Sequence, residues 1–389
     1  MSKKIWLERS KIKNVYPYLS QNIICDTLVI GGGISGAITS FILASEGRNI
    51  VVIDKNIIGY KNTLNCSGSI ADFMDELYIK IGKEENIIRD FSNLKNRAIE
   101  TLKQMLSKVK CSGNNSNYLI LDNRLFQKKN LKKEIMLRNS LQEACDFLLN
   151  EENINANNIV EISKGAYNIN PYLFTQNIFE YILENYNAKV YENTDAKFIE
   201  ANYDDVKIHT QNEFVIKAKN VIITTPIEAI DFVSLNPDIE LFKRFSLVSN
   251  SVFKENMYAK VLNDIPLYIR NDKDKVIISG NDLKYNNKMK NENYMDDLME
   301  DTKRKFGNIL KKLFPKYNLN TSQIYSSNII KTKDNLPIIS EVDMFPNVYL
   351  NIGCGGNGII QSIVGGNILK DVVRGYYPKE MNLFKLKRF

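Results

Sequence analysis

The chain alternates short apolar runs with stretches of helical period. Residues 27–30 form an apolar run suited to a parallel strand covered on both faces. A glycine cluster follows, Gly31-Gly32-Gly33-Ile34-Ser35-Gly36. Ile34, Ala37, Ile38, Phe41, Ile42 and Ser45 then recur at helical spacing, and Gly47 supplies the left-handed residue that ends such a helix. Residues 49–53 are a second, β-branched strand with Asp54 at its end. Residues 92–110 predict an amphipathic helix through Leu94, Ala98, Leu102, Met105 and Val109. Residues 131–149 predict another through Leu131, Ile135, Leu141, Cys145 and Leu148. Residues 221–225 and 348–352 are further buried strands. Residues 246–282 read as a meander of strands ending in VIISG, and 292–313 as a helix with a charged outer face. The Asn/Lys-rich stretch 284–293 reads as a surface loop. A second glycine cluster, Gly353-Cys354-Gly355-Gly356-Asn357-Gly358, opens a last helix in which Ile359, Ile360, Ile363, Val364, Ile368 and Leu369 are apolar. No internal repeat is visible.

At 389 residues the chain exceeds one ordinary core and calls for two or three lobes. Its 44% apolar content is that of a globular protein. No apolar run approaches the ~20 residues needed to cross a bilayer. The amino-terminal MSKKIWLERSKIK is basic but lacks the apolar core of a secretory signal, so the expected location is the cytoplasm. The net charge is +7 with Lys frequent throughout, and basic residues cluster in KYNNKMKNENY and in the tail FKLKRF without a nucleic-acid-binding motif. The five cysteines form no CxxC pair, which argues against a disulfide framework or a zinc site. The one histidine, His209, lies in the alternating run VKIHT and reads as structural. A serine or cysteine triad would need it as base, so that chemistry is set aside.

The first glycine cluster carries the clearest chemistry. Gly31 permits the tight turn out of the strand, Gly33 lets the backbone approach a pyrophosphate, and Gly36 lets the helix pack close to the strand. The helix N-terminus offers free N–H groups and a positive dipole end to phosphates. Asp54, 18 residues beyond Gly36, stands where it can accept from ribose hydroxyls. Strand, glycine turn, helix, second strand and terminal acid occur in order, so the cluster predicts a dinucleotide site. Its place near the amino terminus, with a long chain that must wrap back, favours FAD over NAD.

Several blocks then resemble the D-amino-acid oxidase and glycine oxidase superfamily of FAD-dependent oxidoreductases over about residues 20–378. They are CDTLVIGGGISGAITSFILASEGRNIVVIDKNIIGYKNT, GSIADFMDELYIKIG, GAYNINPYLFTQNIFEYILENYNAKVYENTDAKFIE, KNVIITTP, PLYIRNDKDKVIISGNDL, and KTKDNLPIIS with NVYLNIGCGGNGIIQSIVGGNIL. Within the superfamily the sequence looks closest to a bacterial branch of FAD-dependent oxidoreductases. The resemblance implies an α/β fold. A Rossmann-like FAD-binding domain with a parallel sheet would take residues 1–90, 160–227 and 328–378. A second α+β domain with a mainly antiparallel sheet would take 91–159 and 228–327, and 379–389 would be a basic tail.

The resemblance also implies a non-covalent FAD site built from Gly31, Gly33, Ile34, Ser35, Gly36, Asp54, Lys55, Ser67, Gly68, Ala196, Thr225, Gly353, Gly355, Gly356, Asn357, Gly358 and Ile359. Two positions depart from the family pattern. Thr225-Pro226 stands where a Gly is frequent, and Ala196 stands where Val is usual. Backbone N–H groups of the second glycine turn would meet the electron-rich edge of the isoalloxazine ring. Amino-acid-oxidising relatives hold the substrate carboxylate with an Arg just before the T-x-D-x-x-P block, and here that place holds Lys331. Tyr268 and Arg270, two apart on a strand, share a face and are the other substrate-binding candidates. Cys66 and Cys354 fall near the expected flavin and read as inert thiols, with covalent attachment the lesser alternative.

No catalytic side chain is assigned, because hydride removal from a neutral amine asks little of side chains beyond orientation and electrostatics. The implied activity is oxidation of a C–N bond in a small amino acid or amine, with oxygen or another electron acceptor reoxidising the flavin. Oxidation of a hydroxy acid or a glycerol-phosphate-like alcohol is one alternative. A flavoprotein subunit passing electrons to a partner is the other. No nucleic-acid partner, metal or transmembrane segment is expected, and no motif assigns an oligomeric state.

Overall fold

The computed structural model describes residues 4–10, 14–82, 84–124, 127–148, 153–226, 229, 239–251, 253, 257–317, 321–353 and 355–388. Among them the β-branched runs build a first sheet whose central strands are parallel, in the order Phe345–Ile352, Val215–Ile223, Ile23–Ile30, Ile50–Ile53 and Ala188–Tyr191. Ile338–Val342 closes one edge antiparallel, and Val206–Thr210 with Ala196–Ala201 forms an antiparallel flap on Val215–Ile223. The helices Ile34–Ala44, Pro171–Asn185, Glu85–Lys108 and Gly358–Val372 merge their apolar side chains into one core on this sheet.

The helix Gly358–Val372 packs closely on two neighbours, the strand Phe345–Ile352 through Gly365 and the helix Ile34–Ala44 through Gly366. A Cβ on Gly365 would lie 1.9 Å from Asn351 Oδ1, and one on Gly366 2.7 Å from Ile42 Cδ1. Each interior glycine costs a helix ~1 kcal/mol relative to alanine, which the close contact offsets. Ser362 Oγ donates to Ser35 Oγ at 2.7 Å, so the starts of the two helices are joined directly.

The second sheet runs Thr321–Thr332, Ile239–Ser249, Lys275–Lys284, Leu267–Asp272, Met257–Leu262, Gly113–Asp122, Asn158–Ile169 and Ser69–Ile70. It is antiparallel except where Met257–Leu262 runs parallel to Gly113–Asp122. One face is apolar and packs on the helix Glu292–Leu313 through Phe306, Leu310 and Leu313. The other faces the first sheet.

Two local expectations need correction. The helix expected over 131–149 is Lys128–Ser140. Leu141 closes it, Gln142 takes a left-handed φ of 63°, and the chain leaves as the strand Cys145–Phe147, with Cys145 buried in the core. The helix expected from residue 92 starts earlier, at Glu85. The basic amino terminus also contains a short helix, Ile5–Arg9, whose Ile5 and Trp6 are fully buried.

Candidate active site

A deep cleft opens where the two sheets face each other. Ends of the parallel strands and the helix starts that follow them make one wall, with Gly31, Gly33, Ile34, Ser35, Asp54, Lys55, Ala196 and Thr225. The second glycine turn contributes Gly353, Gly355, Gly356, Gly358 and Ile359, and the loop between Tyr60 and Ser69 contributes Asn65, Cys66, Ser67 and Gly68. The second sheet supplies the opposite wall, with Arg244, Ser246, Tyr258, Tyr268 and Ser279.

The glycines fall into two physical classes. A Cβ on Gly36 would lie 1.7 Å from the Gly31 carbonyl oxygen, and one on Gly31 2.4 Å from Thr225 Cγ2, so these two serve close packing. Gly355 and Gly356 do so as well, since their added Cβ atoms would meet Asp75 Oδ2 at 2.3 Å and Arg244 Nη1 at 2.2 Å. Gly33 and Gly358 differ. An added Cβ would meet one atom at Gly33, Thr63 Oγ1 at 3.2 Å, and nothing within 4 Å at Gly358. Both sit at helix starts that carry no side-chain cap and no acidic residue in the first turn. Two helix N-termini thus face one cleft, with the Ile34 N–H donating to Thr63 Oγ1 at 2.9 Å, and the positive ends of their dipoles favour anionic or electron-rich groups there. The space beside Gly33 and Gly358 fits the FAD that the resemblance implies.

Asp54 lines this cleft, and its carboxylate accepts from the backbone N–H of Gly32 at 2.8 Å and of Asn56 at 2.7 Å. It therefore braces the first glycine turn as well as facing the expected ribose position. Gly36 and Asn357 do not line the cleft. Asn357 instead donates through Nδ2 to Asp75 Oδ1 at 2.9 Å.

The wall on the second sheet follows from its register. Ser246, Ser279, Tyr268 and Lys260 lie opposite one another across four strands and so share a face. Ser246 and Ser279 hydroxyls bond at 2.9 Å. Near them the ladder slips between Lys243 and Phe245, opposite Asn281, which has a φ of 52°. This bulge sets Arg244 against Asp282, and bulges of this kind re-aim side chains. Arg244 Nε and Nη2 donate to the two Asp282 oxygens at 2.7 Å each, and Nη2 also reaches Asp75 at 3.2 Å. Nη1 has no hydrogen-bond partner among the described residues. Burial alone would lower the Arg244 pKa, but Asp282 and Asp75 outweigh it and hold the guanidinium charged. Burial likewise raises Asp282, yet Arg244 and Lys331 outweigh it and bring that carboxyl down to about 2. Tyr258 and Tyr268 are pushed up, first by burial and then by the Asp75 charge, so both remain neutral phenols. Neither hydroxyl has a protein partner among the described residues.

Asp75 reaches the cleft on a loop anchored in the second lobe. Buried Arg138 bridges Asp72, Glu134 and Glu143, and Tyr118 donates to Asp72 at 2.9 Å. Glu134 accepts from the backbone of Tyr78 and Ile79, and Lys260 Nζ donates to the Asp75 carbonyl. These bonds fix both ends of the segment that presents Asp75.

The substrate candidates separate. Tyr268 lines the cleft, and the Arg244 guanidinium lies 5.1 Å from its ring centre. Arg270 shares that sheet face, as expected, but lies one row further on, under the loop, and does not line the cleft. Its Nη1 donates to the carbonyls of Ser67 at 2.6 Å and Ile169 at 3.1 Å, and Nη2 to Asp272 at 2.9 Å. Lys331 pairs with Asp282 at 2.8 Å and is likewise outside the lining. Cys66 does line it. Its thiol donates to the Thr63 carbonyl, and burial pushes its pKa up to about 11, which keeps it protonated. Cys354 lies outside the described residues. His209 Nε2 lies 3.2 Å from Glu200 on the flap and is not in the cleft lining. Arg244, the residue sequence reasoning missed, had one signal: Gly280-Asn281 inside a strand pattern marks a bulge.

The model of the family DAO, FAD dependent oxidoreductase, matches residues 26–372. Among solved structures, L-proline dehydrogenase from P. horikoshii is similar with a TM-score of 0.78 and 20% identity, covering 95% of this chain and 98% of that one. Glycine oxidase from Geobacillus kaustophilus follows at 0.75 and 15%, covering 94% and 99%. L-alpha-glycerophosphate oxidase from Mycoplasma pneumoniae, with FAD bound, gives 0.72 and 15%, covering 91% and 95%. At these identities the likeness is one of fold. No curated protein sequence matches the chain.

Proposed function

The chain belongs to the DAO family of FAD-dependent oxidoreductases, and from that premise we propose that it oxidises the C–N bond of a small amino acid or amine carrying a carboxylate. FAD, when bound, supplies the hydride acceptor. The observation that carries the substrate reading is Arg244, a buried guanidinium in the cleft wall with Nη1 unpartnered among the described residues. Asp282 grips its other edge, so Arg244 is held ready for a carboxylate and loses little side-chain freedom on binding.

The neutral hydroxyls of Tyr258 and Tyr268 stand beside it and can donate to the same carboxylate or accept from the amine. A neutral amine needs no general base to release hydride, which agrees with a cleft lacking histidine among its described lining. Gly33, Ile34 and Ser35 would meet the phosphates, Asp54 and Lys55 the ribose and adenine end, and Gly358 and Ile359 the flavin end. Oxygen or a separate electron carrier would then reoxidise FAD.

The test is anaerobic mixing of the FAD-loaded protein with amino acids, N-substituted amino acids, matching amides and hydroxy acids, reading the loss of flavin colour. Bleaching by carboxylated amines well ahead of their amides is the expected result. Bleaching by hydroxy acids alone, or by no small molecule, would sink the proposal.

A further inference from the structure

We infer that Asp75 is a positioning residue that lowers the electron affinity of the bound flavin, by holding a negative charge against the start of the helix Gly358–Val372. The inference rests on FAD occupying the cleft as read above. That helix start has no capping side chain of its own. Asp75 reaches it from a distant part of the chain. Its Oδ2 accepts from the Gly356 backbone N–H at 2.9 Å and its Oδ1 from Asn357 Nδ2 at 2.9 Å. The loop is glycine at 355 and 356 because any side chain there would collide with Asp75 or Arg244.

A bare helix start attracts negative charge and so favours the electron-rich, reduced ring. A carboxylate lodged at that start works in the opposite direction. Asp75 is not neutralised outright by its neighbours. Arg244 touches it at 3.2 Å but gives its shorter bonds to Asp282, which in turn pairs with Lys331. The charges alternate along Asp75, Arg244, Asp282 and Lys331, so the Arg244 charge is shared between two carboxylates. The loop's anchoring by Arg138 and Lys260 keeps the Asp75 carboxylate in place.

The test measures the midpoint potential of bound FAD, by reductive titration against a reference dye, in wild type, Asp75→Asn, Asp75→Glu and Asn357→Ala. Asp75→Asn keeps the shape and removes the charge. It should favour the reduced form about tenfold, equivalent to ~30 mV upward for a two-electron couple. Asp75→Glu should stay near wild type. Asn357→Ala removes a donor from the carboxylate, leaves its charge less offset, and should shift the potential downward.

A purely structural Asp75 would lower thermal stability and FAD affinity without this pair of opposite shifts. Equal potentials in FAD-loaded wild type and Asp75→Asn overturn the inference alone. A wild type that takes up no FAD overturns it together with the reading on which it rests. If Asp75→Asn does not fold, an unchanged or raised potential in Asn357→Ala overturns it.

Discussion

Arg270 Nη1 donates to the Ser67 carbonyl at 2.6 Å, which makes this arginine a strut behind the loop that lines the cleft. Trp6 completes the support. Its Nε1 donates to the Cys66 carbonyl at 2.9 Å, and the Arg270 guanidinium lies 5.2 Å from the indole centre. Arg270→Met would remove the side-chain donor to the Ser67 and Ile169 carbonyls and the nearer of the two arginines at Asp272, leaving Arg9 at 3.5 Å. A loss of ~3 kcal/mol is expected, as for a broken buried ion pair. FAD should also bind more weakly, because Ser67 and Gly68 lose their backing. Thermal unfolding and FAD titration check this. A variant with unchanged melting and a raised substrate KM would instead mark Arg270 as a substrate ligand.

Arg244 predicts the opposite pattern. Arg244→Lys keeps a charge for Asp282 and Asp75 but loses the fork that leaves Nη1 free while the other edge is held. For a carboxylated amine, kcat/KM should fall by about a hundredfold, from ~3 kcal/mol of lost charged hydrogen bonding, mostly through KM. The matching amide should change much less. Equal losses for acid and amide would show that Arg244 holds the wall and not the substrate.

The nucleotide half of this arrangement is legible in the sequence because its parts are local. The glycine turn, the helix at 34–44 and Asp54 follow one another in the chain, and each has a fixed backbone task. The substrate wall is not local. Arg244, Tyr268 and Asp75 meet through a strand register, a bulge and a loop held by a buried charge cluster, none of which has a fixed spacing. Tyr268 and Arg270 show the limit well. Strand alternation assigns both to one face, but which row of that face is roofed by Trp6 depends on a helix at the far end of the chain. The misplaced helix end near Leu141 has a similar origin. The apolar spacing continues past Ser140, and a left-handed Gln142, which carries no glycine signal, breaks it.

Asp282 gives a pH signature. Its carboxyl sits at about 2 in the folded chain, against an ordinary value of 3.8. A depressed pKa of this kind contributes stability that is present above about pH 4 and lost as pH falls towards about 2. The contribution is ~2 kcal/mol at neutral pH. Asp282→Asn should therefore be less stable than wild type near neutrality, and the gap should narrow steadily below about pH 4. Urea midpoints at several pH values measure it. A gap that stays constant down to the acid limit would mean the Asp282 charge is not its source.

The two classes of glycine can be separated by adding one methyl group at a time. In Gly36→Ala the new Cβ would need the space of the Gly31 carbonyl, 1.7 Å away, so the helix must move off the strand. A loss of ~1–3 kcal/mol or more in the cofactor-free protein follows from such overpacking. Gly358→Ala meets no protein atom within 4 Å, and alanine in a first helical turn stabilises the helix by up to ~1 kcal/mol. Its melting point without cofactor should hold or rise, while FAD affinity falls at least tenfold because the methyl group enters the space beside the ring. Scanning calorimetry of the stripped proteins and FAD titration decide between the outcomes. If Gly358→Ala binds FAD as tightly as wild type, the open space at this helix start does not belong to the cofactor, and the carboxy-terminal glycine turn is glycine only to admit Asp75 and Arg244.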